Sequence, residues 1–183
     1  MTGVELSRLD GPATLALLDE IQVVYLLAFP GYSLADHTMR TTKQAASPGF
    51  SAITARRDGR LAGFVYGLPL PERSTWWHGL DPPRPAEWTR ETGSRTFALI
   101  DLAVHPDERG SGLGRRLVGE LLGSRPEERT TLATDPHKPE VQRMYERWGW
   151  SKVGRVPGGP GTTQPVFELY VVGLGESPAS GSR

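Results

Sequence analysis

Cysteine is absent from this chain, which excludes disulfides, thiolate metal sites and a cysteine nucleophile. Lysine is scarce: Lys43, Lys138 and Lys152 are the only ones, and arginine carries the rest of the positive charge. Charge of either sign is not in excess. The 21 basic and 21 acidic side chains leave a formal net charge of +0, so no global field draws nucleic acid or an anionic membrane. No basic stripe marks a nucleic-acid surface. Long hydrophobic runs are missing too. The longest, residues 23–29, is far too short to cross a bilayer. Residues 1–10 carry acid and lack the basic-then-apolar pattern of a secretory leader. His37 and the scattered carboxylates show no metal-ligand spacing. The expectation is a soluble, cytoplasmic protein without metal, nucleic-acid or membrane partner. Its 183 residues suffice for one domain with a real core.

What the chain does have is a glycine-rich turn, Arg109-Gly110-Ser111-Gly112-Leu113-Gly114. It follows residues 96–105, which read as a strand. It opens a helix with Leu113, Leu117, Val118, Leu121 and Leu122 on one face. The first N–H groups of a helix have no intrahelical partner, and the helix dipole favours negative charge there. Glycines remove the Cβ atoms that would keep phosphate oxygens from the backbone. Arg109 adds a fixed positive charge with a planar donor fork. The spacing rules out two nucleotide loops. A dinucleotide fingerprint needs glycine where Arg115 stands, and a Walker loop needs Gly-Lys-Ser/Thr where the chain has Gly114-Arg115-Arg116. The turn is expected to cradle a pyrophosphate of another kind. The plain alternative is a strand-to-helix turn with no ligand.

Residues 4–9 alternate as a strand. Asp10 is placed to cap a helix with Pro12 in its first turn; its face is Leu15, Leu18, Ile21 and Tyr25, and Pro30-Gly31 stops it. Residues 33–43 give a second, weaker helix. Residues 50–57 and 60–68 form a hairpin across Asp58-Gly59. The connection 69–95 holds five prolines with Trp76, Trp77, His78 and Trp88, and such length is either functional or disordered. Residues 130–134 read as a strand. Residues 139–148 read as a helix with Val141, Met144, Tyr145 and Trp148 on one side, closed by Gly149. Strands at 150–155 and 166–172 flank a Pro/Gly-rich loop at 157–165. Residues 173–183 read as a disordered Ser/Gly/Pro tail after a single domain, 1–172.

The step Leu102-Ala103-Val104-His105-Pro106, followed by Arg109, Gly112 and Gly114, resembles the acetyl-CoA signature of the GNAT superfamily of N-acetyltransferases. That signature is Arg or Gln, two residues, Gly, one residue, then Gly or Ala, behind a strand ending in a Val-x-Pro-like step. The element order resembles the family from residue 4 to 172; the specific part is 102–114 and 139–150. The resemblance, to a bacterial-type member, implies an α/β GNAT fold in one domain. Its central mixed, mostly antiparallel sheet would have about seven strands flanked by about four helices. It also implies acetyl-CoA as donor, an amine as acceptor, direct attack in a ternary complex, and a homodimer as a common assembly.

In the family the strand before the phosphate loop and the next strand splay apart around the pantetheine arm. Carried over, the Leu102 N–H lies near the thioester carbonyl, and the Ala103 and Val104 backbone holds pantetheine. Residues Arg109, Gly110, Ser111, Gly112, Leu113, Gly114 and Arg115 bind the phosphates. The family often places a tyrosine on the later helix near the CoA sulfur, which makes Tyr145 the proton donor; a phenol with pKa of about 10 is protonated at neutral pH. Its plain alternative is a core tyrosine. The usual asparagine before that helix is replaced by Asp135-Pro136-His137-Lys138. His137 or Lys138 then reaches a phosphate or is merely solvated. The general base is open between Asp101, His78, Glu72, Glu91, His37 and a water chain. Asp101 has a structural carboxylate as its alternative. Tyr32, Trp76, Trp77 and His78 are the expected acceptor contacts, with the tryptophans either walling the acceptor or pinning the long connection. His105 resembles a non-catalytic family position. The bounded, Trp-bearing connection favours a small-molecule acceptor over a peptide. The readings beside it are a silent acyl-CoA-binding module and a transferase for protein amines.

Overall fold

A computed structural model describes residues 3–160, 162 and 164–175. The first strand, β1 (Glu5–Leu9), pairs antiparallel with β2 (Ser51–Arg57), and β2 with β3 (Arg60–Pro69). The β2–β3 turn is the Asp58-Gly59 step that the sequence marks. Both residues take positive φ, 52° and 79°, as a two-residue hairpin turn of right-handed twist requires. Between β1 and β2 run α1 (Gly11–Ala16), α2 (Leu18–Ala28) and α3 (Leu34–Ala45). The Asp10 carboxylate accepts the Ala13 N–H at 2.9 Å, and Ser33 Oγ accepts that of Asp36 at 3.2 Å. These caps satisfy orphan donors at the starts of α1 and α3.

The single first helix expected from the sequence is two. Leu17 leaves helical geometry (φ −102°, ψ 11°), and its N–H bonds the Thr14 carbonyl at 3.1 Å, a tight closing turn. Gly11 sets the packing of α1: a Cβ there would overlap the Ala45 carbonyl oxygen, so only glycine allows the start of α1 this close to the end of α3.

The remaining elements are α4 (Ala86–Thr89), β4 (Thr96–Val104), a 3-10 turn at Pro106–Glu108, α5 (Leu113–Leu122), β5 (Arg129–Thr134), α6 (Pro139–Arg147), β6 (Ser151–Pro157) and β7 (Val166–Gly173). The strands form one seven-stranded sheet in the order β1-β2-β3-β4-β5-β7-β6. β4 and β5 are parallel, pairing Thr96 with Arg129, Phe97 with Thr130 and Ala98 with Thr131. β5–β7 and β6–β7 are antiparallel. This is the expected α/β class with a mixed, mostly antiparallel sheet. Among the described residues the α-helices number six, against about four expected, because the first divides and α4 interrupts the long connection. Gly173 is the last residue of β7, opposite Arg129, and the Leu174 N–H donates to the Glu128 carbonyl at 2.9 Å. The strand thus ends one residue later than the pattern at 166–172 suggests. Of the expected tail, residues 176–183 lie outside the described residues.

The chain divides into two compact units, Met1–Pro69 with Leu99–Ser124, and Leu70–Ala98 with Arg125–Arg183. In the first, Ile21, Val24 and Tyr25 of α2 bury against Phe64 and Tyr66 of β3, with Phe50 and Ala103. In the second, the 69–95 connection is pinned. Glu91 is buried, and one of its oxygens accepts from Trp77 Nε1 at 2.8 Å, Thr96 Oγ1 at 2.8 Å and Arg129 at 3.2 Å. The Arg129 guanidinium lies 4.3 Å from the Trp88 ring centroid and 5.1 Å from that of Trp77. Burial pulls the Arg129 pKa down, and the nearby Arg95 charge adds to this.

Candidate active site

The glycine-rich turn leads into α5 as its spacing predicts. Gly110 and Gly112 take φ of 75° and 81°, values that cost an L side chain about 1–2 kcal/mol. Gly112 is the N-cap of α5, and no side chain caps that helix. A Cβ at Gly110 or Gly112 would meet nothing within 4 Å, so the positive φ, and not crowding, is what calls for glycine at both. Ser111 Oγ donates to the Glu108 carbonyl at 2.6 Å. The buried Glu108 carboxylate accepts from Arg57 Nε with both oxygens, at 3.0 and 3.1 Å. The turn is therefore anchored to the end of β2 by an ion pair whose carboxylate is buried and whose guanidinium is partly exposed. Arg109 is exposed, with one donor on the Leu27 carbonyl at 3.4 Å, and Arg115 is exposed as well. Uncapped donors beside exposed guanidinium groups suit a diphosphate.

His105 is engaged beside this turn: its Nδ1 accepts the Asp107 N–H at 3.3 Å, and Arg60 lies 3.1 Å from Nε2. Along β4, Ala103 is buried while Leu102 and Val104 are half-buried. Gly63 of β3 allows the close approach there, since its Cβ would lie 2.9 Å from the Ala103 carbonyl oxygen.

Asp101 is the centre of a polar cluster in the first unit. The Tyr66 hydroxyl donates to its Oδ2 in a short hydrogen bond, and His37 Nε2 lies 3.4 Å from the same oxygen. Thr41 Oγ1 stands 3.1 Å from the Tyr66 hydroxyl and 3.4 Å from His37 Nε2. His37 is fully buried and stacks on Tyr25 with ring centroids 3.9 Å apart. Gln22 Nε2 lies 3.3 Å from His37 Nδ1, an arrangement that makes Nδ1 the acceptor and puts the imidazole proton on Nε2, toward Asp101. The Asp101 side chain keeps 14% of its surface exposed. Among the described residues nothing donates a hydrogen bond to its Oδ1.

Local structure brings these groups together. On α3, residues 37, 40 and 41 share one face at i, i+3 and i+4 spacing. That face carries His37 and Thr41 to Tyr66 of β3 and Asp101 of β4. Burial, then the Asp101 charge, hold the Tyr66 phenol well above its ordinary pKa and raise that of Tyr25. Arg40 is half-buried and donates to the Tyr25 hydroxyl at 3.3 Å. Burial pulls its pKa down, but the Asp101 charge and the Tyr25 bond push it above its usual value.

The other expected site residues lie as follows. Tyr32 is half-buried, its ring 5.6 Å from Phe29 and 6.2 Å edge-on to Tyr25. In the second unit Tyr145 is buried on α6, edge-on to Trp148 at 5.5 Å and Trp150 at 5.7 Å. His78 and Glu72 are exposed. Trp76 Nε1 donates to Thr131 Oγ1 at 3.2 Å. Of the two readings for the tryptophans, the pin describes Trp77, whose ring is buried among Glu91, Trp88 and Arg129. Glu91 likewise serves that pin and is no free base. His137 is 79% exposed and lies 3.1 Å from Asp135 Oδ1, which also accepts its N–H at 2.8 Å. Sequence reasoning reached Asp101 and His37 but missed Tyr66, Thr41 and Arg40. The α3 spacing and the alternation along β3 were the only signals for them.

The chain matches the model of the Acetyltransferase (GNAT) family over residues 18–150, and it belongs to that family. No curated protein matches it in sequence. Among solved structures it is similar to a GNAT superfamily phosphinothricin acetyltransferase from Sinorhizobium meliloti in complex with acetyl-CoA. The identity is 17%, covering 100% of this chain and 94% of that one, with a TM-score of 0.64. It is similar to the ribosomal-protein-S18-alanine N-acetyltransferase from Escherichia coli at 14% identity, covering 99% and 100%, with a TM-score of 0.66. The aminoglycoside 6'-acetyltransferase type Ii is similar at 20% identity, covering 95% and 99%, with a TM-score of 0.66. At such identities the likeness is one of fold.

Proposed function

We propose that the protein transfers an acetyl group from acetyl-CoA to the amine of a small molecule by direct attack in a ternary complex. One observation carries this reading. An uncapped, glycine-lined helix start and a carboxylate with one open oxygen belong to the same compact unit of a GNAT-family chain. Acetyl-CoA supplies the acyl carbon as a thioester. The N–H groups of residues 110–114 bind its diphosphate, with charge from Arg109 and Arg115, and His137 is assigned to the same ligand. The Leu102 N–H and the Ala103 and Val104 backbone align the arm. Asp101 takes the proton that the amine loses as its N–C bond forms, while Tyr66 and His37 fix the carboxylate. The thiolate released as the C–S bond breaks needs a proton, and we assign it to Tyr145 on the family resemblance alone. The same reading treats residues 1–172 as one domain of a cytoplasmic, homodimeric enzyme. Among the described residues no helix is long and apolar enough to cross a membrane.

Calorimetry with CoA, paired with release of free CoA over a panel of amines, tests the proposal. Tyr145→Phe is expected to lower kcat by about a hundredfold, the scale of a lost acid catalyst, with CoA affinity unchanged. A protein that binds CoA but releases none with any amine is a silent binding module. A protein without heat on CoA addition sinks both readings. Release with peptide amines only would move the acceptor to a protein.

A further inference from the structure

Arg40 is the charged group in the Asp101 cluster that acetyl transfer to an amine does not use. It sits on the α3 face of His37 and Thr41, half-buried, with one donor on the Tyr25 hydroxyl. Among the described residues no carboxylate forms an ion pair with it. A partly desolvated guanidinium without an anion is an unfavourable arrangement unless something brings one. Burial pulls the Arg40 pKa down, and the Asp101 charge, the Tyr25 bond and the nearby phenols together push it above its usual value, yet no ion pair joins Arg40 and Asp101. The carboxylate is instead held at Oδ2 by neutral donors, Tyr66 and His37, leaving Oδ1 open. Two opposite charges therefore stand near one another, each with unused bonding capacity.

From this we infer that the acceptor is a zwitterion, a small amine that also bears a carboxylate, with its nitrogen on Asp101 Oδ1 and its carboxylate on the Arg40 fork. The inference rests on the transferase reading and narrows its substrate class. The planar guanidinium matches a carboxylate with two parallel N–H donors, which an ammonium cannot. The same charge repels amines that are purely cationic, so Arg40 excludes as well as selects. Phe29 and Tyr32, partly exposed against the buried Tyr25 ring that Arg40 bonds, suit an apolar or aromatic side chain on the acceptor. Phenylalanine is an acceptor of this description, and phenethylamine is its twin without the carboxylate.

The test is binding of these two compounds to the CoA-loaded protein by calorimetry, which needs no turnover. The acid is expected to bind at least about tenfold more tightly than the amine, as for a desolvated charge pair. Arg40→Met should erase that ratio while leaving CoA affinity and the circular dichroism spectrum unchanged; Arg40→Lys should keep part of it. Should Arg40→Met fail to fold, the wild-type ratio and Arg40→Lys still decide. Equal binding, tighter binding of phenethylamine, no binding of either, or a ratio that survives Arg40→Met overturns the inference. CoA release is assayed separately. Acid-selective binding without release would keep the zwitterion site and overturn the transferase reading instead.

Discussion

Tyr66 donates a short hydrogen bond to Asp101 Oδ2 from a fully buried position. Burial, and then the Asp101 charge, keep this phenol protonated well above 10.0. The folded chain thus binds the proton more tightly than the unfolded chain. Its contribution to stability is complete below pH 10.0 and is lost as pH rises through the raised value. Tyr66→Phe is expected to flatten the alkaline fall of Tm, with a residual slope left by Tyr25, which is raised by the same causes. An unchanged alkaline limb in thermal melts would refute it. At this scale the sequence exposes chemistry but not convergence. Asp101 and His37 stand out as titratable residues, yet they meet only because α3 folds back on β3 and β4. Arg40 is invisible in the sequence, since a single arginine in a polar helix usually faces water.

Elements were more legible than residues. Asp58-Gly59 allows one kind of turn and therefore fixes the β2–β3 register at the hairpin. The break at Leu17 was hidden because the apolar face Leu15, Leu18, Ile21 and Tyr25 continues through it. The connection 69–95 had no readable period. It is ordered by a buried charge, Glu91, shared among Trp77, Thr96 and Arg129. Trp77→Ala would open a cavity and strip a donor from that carboxylate, at a cost of about 3–5 kcal/mol. Denaturant unfolding measures this. A loss below about 1 kcal/mol would show that the pin contributes little.

For the whole molecule, the balance of charge says nothing about where charges are buried. In the second unit Glu168 of β7 is buried between Lys152, at 2.5 Å, and Arg155, whose Nη2 lies at 2.7 Å, both on β6. Burial alone would raise its pKa. The bonds from Lys152 and Arg155 outweigh that and lower it from 4.5. The stability it supplies is present above pH 4.5 and is lost as pH falls through the lowered value. Glu168→Gln should therefore lower Tm at neutral pH and make its decline in acid shallower. A parallel shift of the whole acid limb would contradict this. The sheet order also escaped the sequence: β7 lies between β5 and β6, so the last strand among the described residues is interior to the sheet. Only pairing, and no local pattern, decides that placement.

The Arg57–Glu108–Ser111 chain of contacts has a kinetic meaning. Because the turn before α5 is braced from β2, its backbone is set without help from a ligand. If it holds the diphosphate as proposed, capture would forfeit little chain entropy and be an encounter with a finished socket, not the moulding of one.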